Sequence, residues 1–105
     1  MRHTGSLAAV AIVLMTDTDD RHWGYELSKK SDLRSGVLYP ILARMLSAGW
    51  LTDGWEDPIT VASGRPPRRY YQLTDRGRIE LGAVVSEARK RAPARTAIRA
   101  IRIAT

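Results

Sequence analysis

Apolar residues recur at helical spacing along most of this chain, and one central stretch is instead rich in aromatic and β-branched residues. The first apolar block, Leu7–Met15, has no polar side, which is typical of a helix buried by neighbouring elements or by a second subunit. Either Thr4 or Ser6 could cap its first turn. The polar residues 16–22 that follow predict a loop.

Two further helices are predicted before Gly49, which ends the second of them. Residues 24–31 predict a short helix with Tyr25 or Leu27 turned inward. Beyond it, the three-and-four spacing of apolar residues predicts a longer helix with one buried face: Leu38, Ile41, Leu42, Met45 and Leu46. Its outer face carries small, aromatic and basic side chains: Ser35, Tyr39, Ala43, Arg44 and Ser47. Pro40 lacks a backbone donor, so the regular helix either starts near it or is bent there.

The central stretch predicts the two strands of a β-hairpin. Trp50–Glu56 and Arg69–Thr74 are rich in the aromatic and β-branched residues that favour strands. The connection, Asp57–Arg68, contains Gly64 and two prolines and is too long for a tight turn. We therefore expect a projecting loop with three arginines in or beside it: Arg65, Arg68 and Arg69.

A fourth helix is predicted after the hairpin. Thr74 is suited to cap it, and its apolar positions share one face: Leu81, Val84, Val85 and Ala88. The helix would run to about Ala92, because Pro93 interrupts the pattern. We expect residues 1–92 to form one domain, followed by a short basic tail, 93–105, whose spacing is compatible with a helix.

The net charge of +6 does not belong to the predicted domain as a whole. Acidic and basic residues balance over residues 1–87, and the positive surplus lies in the last 18 residues: Arg89, Lys90, Arg91, Arg95, Arg99 and Arg102. Global charge is therefore no indication of nucleic-acid binding by itself, and the argument for it depends on local patterns.

Composition narrows the class of protein. With 44% hydrophobic and 27% charged residues, the 105 residues are typical of one soluble globular domain. The absence of cysteine makes a reducing cytoplasm the expected compartment. The acids that precede His22 (Asp17, Asp19 and Asp20) lack the pattern of a calcium loop, so we expect no metal. No catalytic arrangement or phosphate-binding glycine loop is recognisable, so we expect neither an enzyme nor a cofactor.

The predicted order of elements is typical of a winged helix, a mainly α fold with a small β-hairpin and, here, residues 24–48 as its helix-turn-helix. Ser35, Tyr39 and Arg44 on the third helix would then enter the major groove of double-stranded DNA. The wing would contact the adjacent backbone or insert into the minor groove. Phosphate contacts on either side of the third helix are expected from five basic side chains: Lys29, Lys30, Arg34, Arg65 and Arg68.

Several of these side chains have a structural alternative. Tyr39 could pack beside Trp50 instead, and the two lysines could be solvated helix ends. Arg69 could lie on the strand rather than in the loop. We expect the three tryptophans to complete the core rather than to form a ligand site: Trp23, Trp50 and Trp55.

Four segments resemble the PadR-like family of transcriptional regulators: GYEL (24–27), SGVLYPILARM (35–45), AGWL (48–51) and GRPPRRYYQLTDRG (64–77). The resemblance covers about residues 7–92. It implies a dimeric winged-helix repressor whose C-terminal helix, with help from the first helix, joins two subunits. It also implies that Pro40 lies inside the recognition helix and that a small molecule could act as effector.

The residues and the resemblance together predict a homodimer that binds double-stranded operator DNA sequence-specifically and represses transcription, with a small-molecule effector that could relieve it. The alternative is a winged helix that serves as a protein–protein interaction module without sequence-specific DNA binding, because a fold does not fix a function. The chain departs from longer relatives in being short after the fourth helix, and no aromatic residue follows Tyr71. The sequence therefore assigns no effector pocket and leaves the dimer geometry open.

Overall fold

The computed structural model describes residues 4–18, 20–59, 61 and 64–91. Within these ranges, the elements in chain order are α1 (Gly5–Thr16), β1 (His22–Trp23), α2 (Gly24–Ser31), α3 (Ser35–Ser47), β2 (Leu51–Trp55), β3 (Arg69–Leu73) and α4 (Asp75–Arg91). The four helices and the small antiparallel sheet confirm the predicted winged helix-turn-helix fold. The predicted tail, 93–105, and the predicted end of the last helix at Ala92 lie outside the described residues.

The helix α1 packs against three other helices, but Ile12 remains 49% exposed although the sequence of the helix has no polar side. Thr4 caps the helix, since its Oγ1 accepts a hydrogen bond from the backbone N–H of Leu7 at 3.1 Å. The helix packs mainly against α4 and also against α2 and α3. It therefore contributes five residues to the core: Leu7, Ala8, Val10, Ala11 and Leu14. No helix of the described part of the chain is both long and apolar enough to cross a membrane.

A tight turn connects α2, which has the predicted bounds, to α3. Leu27 is buried and Tyr25 is half exposed, which decides between the two residues that the sequence offered as inward-facing. The turn depends on Asp32, whose φ of 58° lies in the left-handed region that aspartate tolerates better than most residues. The Ser28 hydroxyl donates to the carbonyl of Leu33 at 2.7 Å and so ties α2 to the turn.

The helix α3 runs without interruption through Pro40, which confirms the position that the family resemblance implied. Because Pro40 has no N–H, the carbonyl of Gly36 receives no helical hydrogen bond from it. The predicted stripe faces the core, with Leu46 half-buried and the others fully buried: Leu38, Ile41, Leu42 and Met45. Gly49, at a φ of 77°, reverses the chain after the helix as predicted.

The predicted hairpin is present, and the structure adds a third strand to it. β3 is central, with β2 and β1 antiparallel on its two sides, and the pairs include Leu51 with Leu73, Trp55 with Arg69, and His22 with Tyr71. The prediction of a loop through residue 22 is therefore wrong at its end. His22 is buried, and its Nε2 lies 2.8 Å from the carbonyl oxygen of Asp17. A strand of two residues is too short to produce a periodic sequence signal.

Thr74 joins the end of α3, the sheet and α4. Its hydroxyl donates to the carbonyl of Gly49 at 2.6 Å and accepts from the N–H of Gly77 at 2.9 Å, so it caps α4 as predicted. Its backbone N–H donates to the carbonyl of Trp50 at 3.1 Å. Gly77 lies against that same carbonyl so closely that a β-carbon would collide with the oxygen. The end of α3, the end of β3 and the start of α4 are therefore joined at Thr74.

The three tryptophans differ in burial, although the sequence predicts all of them in the core. Trp50 is 7% exposed and belongs to the core. Trp23 is half-buried and packs edge-on against Tyr70, with 5.6 Å between ring centroids. The prediction is wrong for Trp55, which is 65% exposed. Trp55 is the last residue of β2, at the end of the strand farthest from the buried Leu51, and it borders an open cleft instead.

Candidate nucleic-acid interface

The outer face of α3 is exposed along its whole length. All five residues that the sequence assigns to it are exposed: Ser35, Tyr39, Ala43, Arg44 and Ser47. The opposite stripe is locked into the core, so the backbone of α3 is held rigidly while this face remains free of protein. Small residues beside Arg44 let the helix approach a partner closely, as a helix in the DNA major groove must.

Basic side chains surround this face. Arg34 precedes the first residue of α3, and Lys29 lies near the end of α2; both are exposed. Lys30 is exposed but lies on another side of α2, where it lines a cleft with residues of α1 and β1, and its Nζ is 3.5 Å from a carboxylate oxygen of Glu26 one turn earlier. Among the described residues, no ion pair involves Lys29, Arg34 or Arg44. These three cations are therefore available to an external anion.

Tyr39 stands in a cleft of about 410 Å³ between α2, α3 and the hairpin. Its hydroxyl lies against the backbone of Gly24, where a β-carbon would collide with the hydroxyl oxygen. The side chain is 45% exposed, so the phenol is held in place and still reaches solvent. The other residues that line the cleft are aromatic or basic: Tyr25, Trp55, Arg68, Arg69 and Tyr71.

The wing comprises β2, β3 and the connection between them, and Glu56 closes this connection where it leaves β2. Both carboxylate oxygens of Glu56 accept from the Arg65 guanidinium, with Nη1–Oε1 at 2.9 Å and Nη2–Oε2 at 3.1 Å. Oε1 also accepts from the backbone N–H of Arg68 at 2.8 Å, and the Glu56 N–H donates to the Arg68 carbonyl at 2.9 Å. The hydrogen bond from Arg65 is the main reason that the pKa of Glu56 is lowered, and the same bond raises the pKa of Arg65.

The other two wing arginines are also engaged, in different ways. The Arg68 guanidinium lies 4.9 Å from the centre of the Tyr25 ring, a cation–π contact that links the wing to α2. Arg69 is the first residue of β3, which agrees with the strand alternative of the sequence analysis. Its Nε donates to a carboxylate oxygen of Asp53 at 2.7 Å, and this bond is the main reason that the pKa of Arg69 is raised.

The structure places three of the predicted site residues on the outer face of α3, with Arg34 just before them: Ser35, Tyr39 and Arg44. It places Lys30 in a cleft beside α1 and engages Arg65 inside the wing. Sequence reasoning missed the contributions of Tyr25 and Trp55 to the cleft, because nothing in their spacing distinguishes an exposed aromatic residue from a core one. The Asp53–Arg69 pair had a usable signal. Opposite charges on neighbouring predicted strands pair diagonally once the register is known.

The group of acids around His22 offers no metal site in the part of the chain that the structure describes, where no cluster of histidine and carboxylate side chains could hold an ion. Asp17 meets His22 through its backbone carbonyl rather than through its carboxylate. The backbone carbonyl of Asp17 thus helps to fix the edge of the sheet.

Comparison with known families and structures agrees with this geometry. Residues 13–83 match the family described as Transcriptional regulator PadR-like family. The crystal structure of smu.1704 from Streptococcus mutans is 26% identical, with a TM-score of 0.62 over 83% of this chain and 80% of that one. A PadR family transcription regulator from Clostridium difficile has 24% identity and a TM-score of 0.63 over 87% and 96% of the two chains.

A PadR-like transcriptional regulator from Bacillus cereus is similar over 90% of this chain and 88% of its own, with 22% identity and a TM-score of 0.61. At such identities these structures establish the fold. No curated protein matches the chain by sequence.

Proposed function

The chain belongs to the PadR-like family of transcriptional regulators, whose members bind DNA, and we propose that it binds a specific double-stranded operator as a homodimer and represses transcription. The observation that carries this proposal is the outer face of α3. It combines a rigidly supported helix, small residues beside Arg44, and three cations (Lys29, Arg34 and Arg44) for which the described part of the chain shows no ion pair.

In the proposed complex, α3 lies in the major groove, where Ser35, Tyr39 and Arg44 face the bases and the backbone. Arginine in this position suits bidentate hydrogen bonding to guanine. Lys29 and Arg34 would contact phosphates beside α3, and Lys30 would contact one from the α1 side of α2. Such contacts fix the orientation of the helix but do not read sequence.

The wing would contact the neighbouring stretch of DNA backbone through Arg68. Its guanidinium is exposed and lies over Tyr25, on the same side of the molecule as Tyr39. Arg65, the other wing arginine predicted from the sequence, would reach a phosphate only by leaving Glu56. A small-molecule effector that relieves repression remains part of the proposal through the family alone, and the expected compartment is the cytoplasm that holds the operator.

Binding to a labelled duplex from the region upstream of the gene, compared with a shuffled duplex of the same length, tests this function. A duplex of about 30 base pairs is long enough for two half-sites one helical turn apart. We expect the upstream duplex to bind at least tenfold more tightly, over salt concentrations from about 50 to 200 mM. Equal affinity for both duplexes at every salt concentration would remove the sequence-specific claim.

The variant Arg44→Gln separates this function from that of a protein interaction module. If the protein reads DNA, neutralising Arg44 lowers its affinity for the upstream duplex. If it is a protein interaction module, the same change leaves any residual affinity for that duplex unaltered. Stoichiometry on the upstream duplex, measured by analytical ultracentrifugation, tests the dimer, and two chains per duplex is the expected result.

A further inference from the structure

Arg65 differs from the other predicted contact of the wing because its guanidinium is paired with a carboxylate of the wing itself. Arg65 donates from both terminal nitrogens to the two oxygens of Glu56, and its side chain is 35% exposed. A two-pronged pair of this kind fixes the guanidinium in direction as well as in position. It is therefore less available to an external phosphate than Arg68, which is exposed and whose guanidinium lies over the Tyr25 ring.

Glu56 does more than neutralise Arg65. The same carboxylate accepts the backbone N–H of Arg68, so one side chain joins two points of the connection, nine and twelve residues away in the chain. It takes the place of the backbone carbonyl that would continue the β2–β3 ladder here. The segment that carries Arg68 is thereby held against α2, where Arg68 meets Tyr25.

Transfer of Arg65 to a DNA phosphate would leave the Glu56 carboxylate, itself only 21% exposed, without its main partner. That negative charge would then stand beside the DNA backbone and repel it. Exchange of one anion for another gains little, and the freed carboxylate opposes it. The arrangement thus favours Arg65 remaining on Glu56 when DNA is bound.

We propose that Glu56 is a positioning residue of the DNA-binding surface: it withholds Arg65 from the DNA as an internal brace of the wing and holds Arg68 in place as the phosphate contact. The inference rests on the proposed function, because it assigns roles within the same interface. It gives Arg65 and Arg68 different roles although both carry the same charge.

The dependence of affinity on salt distinguishes a brace from a phosphate contact, because each phosphate contact adds about 0.9 to the slope of log affinity against log salt concentration. The decisive variant is the double change Glu56→Gln with Arg65→Gln, which leaves the net charge unaltered and keeps at position 56 an amide oxygen that can accept from the Arg68 N–H as the carboxylate does. We expect its slope on the 30-base-pair upstream duplex to equal that of the wild type. A slope shallower by about 0.9 would show that Arg65 contacts phosphate and would overturn the proposal.

The single variant Glu56→Gln releases Arg65 without removing it. Its slope should be steeper by up to about 0.9, with affinity two- to fivefold higher at about 50 mM salt. An unchanged slope would contradict the claim that Glu56 withholds Arg65. Glu87→Gln, on the exposed side of α4, is the matched control for a charge change of +1 outside the wing, and we expect no change in its slope.

Arg68→Gln is the control that removes a phosphate contact, and we expect its slope to be shallower than that of the wild type by about 0.9.

Limited proteolysis of the unbound proteins tests directly whether Glu56 and Arg65 brace the wing. The double variant should be cut faster within residues 57–68 than the wild type. Equal rates would contradict the brace. If the wild type binds neither the upstream nor the shuffled duplex, both the proposed function and this inference are wrong. If the wild type binds and only the salt slopes of the variants differ from those expected, the inference alone is wrong.

Discussion

The outer face of α3 and the wing carry similar side chains in different states of engagement. On the α3 side, Arg34 and Arg44 have no ion pair within the described residues, and small residues such as Ala43 and Ser47 lie beside Arg44. In the wing, Arg65 and Arg69 are held by carboxylates and Arg68 lies over a tyrosine. The positive charge of the two regions is therefore not equally available to a phosphate or a base.

This difference follows from how the two regions are supported. α3 is held by its buried stripe, so its outer face needs no polar interactions of its own to stay in place. In the described part of the wing, the buried apolar residues are Leu51, Tyr71 and Leu73, all in the strands. Ion pairs hold the outer ends of the strands and the connection. On α3, where apolar packing holds the backbone rigid, arginines are left to contact a partner. In the wing, where there is less apolar packing, arginines are used in ion pairs that hold the backbone.

The largest effect is expected when a residue of the buried stripe that holds α3 in place is truncated. Leu42 is 1% exposed, so Leu42→Ala loses buried apolar contacts and leaves a cavity, and we expect the free energy of unfolding to fall by about 2–5 kcal/mol. Urea denaturation at a fixed protein concentration measures it. Val37→Ala, on the exposed side of the same helix, is the control and should cost well under half as much; an equal loss in both would contradict the claim that the stripe supports α3.

Neutralisation of one arginine in each region sharpens the comparison. Arg44→Gln should weaken binding to the upstream duplex by about 1–3 kcal/mol and reduce the preference over shuffled DNA, because a base contact is lost. Arg68→Gln should weaken both duplexes alike, because phosphates carry no sequence. Fluorescence anisotropy titrations give both affinities. The comparison is wrong if Arg68→Gln alters the preference more than Arg44→Gln does.

Acid should loosen the wing and leave α3 unaffected, which is the smallest effect expected. The bond from Arg65 lowers the pKa of Glu56, so the contribution of this pair to stability is complete above the usual glutamate pKa of about 4.3 and is lost as the pH falls through the lower folded value. The chemical shift of the Arg68 amide, which donates to Glu56, should titrate with a midpoint below that usual value. In Glu56→Gln this transition should vanish, and a midpoint above about 4.3 in the wild type would contradict the cause given.

Most of the fold could be predicted from the sequence, because helices with one apolar face leave a clear periodic signal. The bounds of α2, the stripe of α3 and the cap at Thr74 all follow from local rules. β1 could not be predicted in this way, since its two residues form a strand only through pairing with β3. Tertiary contact, and not local propensity, determines it.

The candidate site likewise has features that local sequence rules predict and features that depend on tertiary contacts. The exposure of Ser35, Tyr39 and Arg44 follows from helical geometry, which the sequence contains. The capture of Arg65 by Glu56 depends on where a twelve-residue connection folds, and such a loop has no periodic signal. Sequence spacing can indicate which residues are basic and near one another, but not which of them already have a partner.

The junction at Thr74 has a further consequence for how this protein can vary. The chain leaves the helical core at Gly49 and returns at Thr74, and the two ends of this excursion are fastened to each other through the Thr74 hydroxyl and the Trp50 carbonyl. Insertion or deletion at the tip would alter only a loop whose closure is already secured, and the free-energy cost of extra loop length grows slowly. The reach of the wing along DNA can therefore lengthen or shorten in evolution, or by design, while the recognition helix keeps its place.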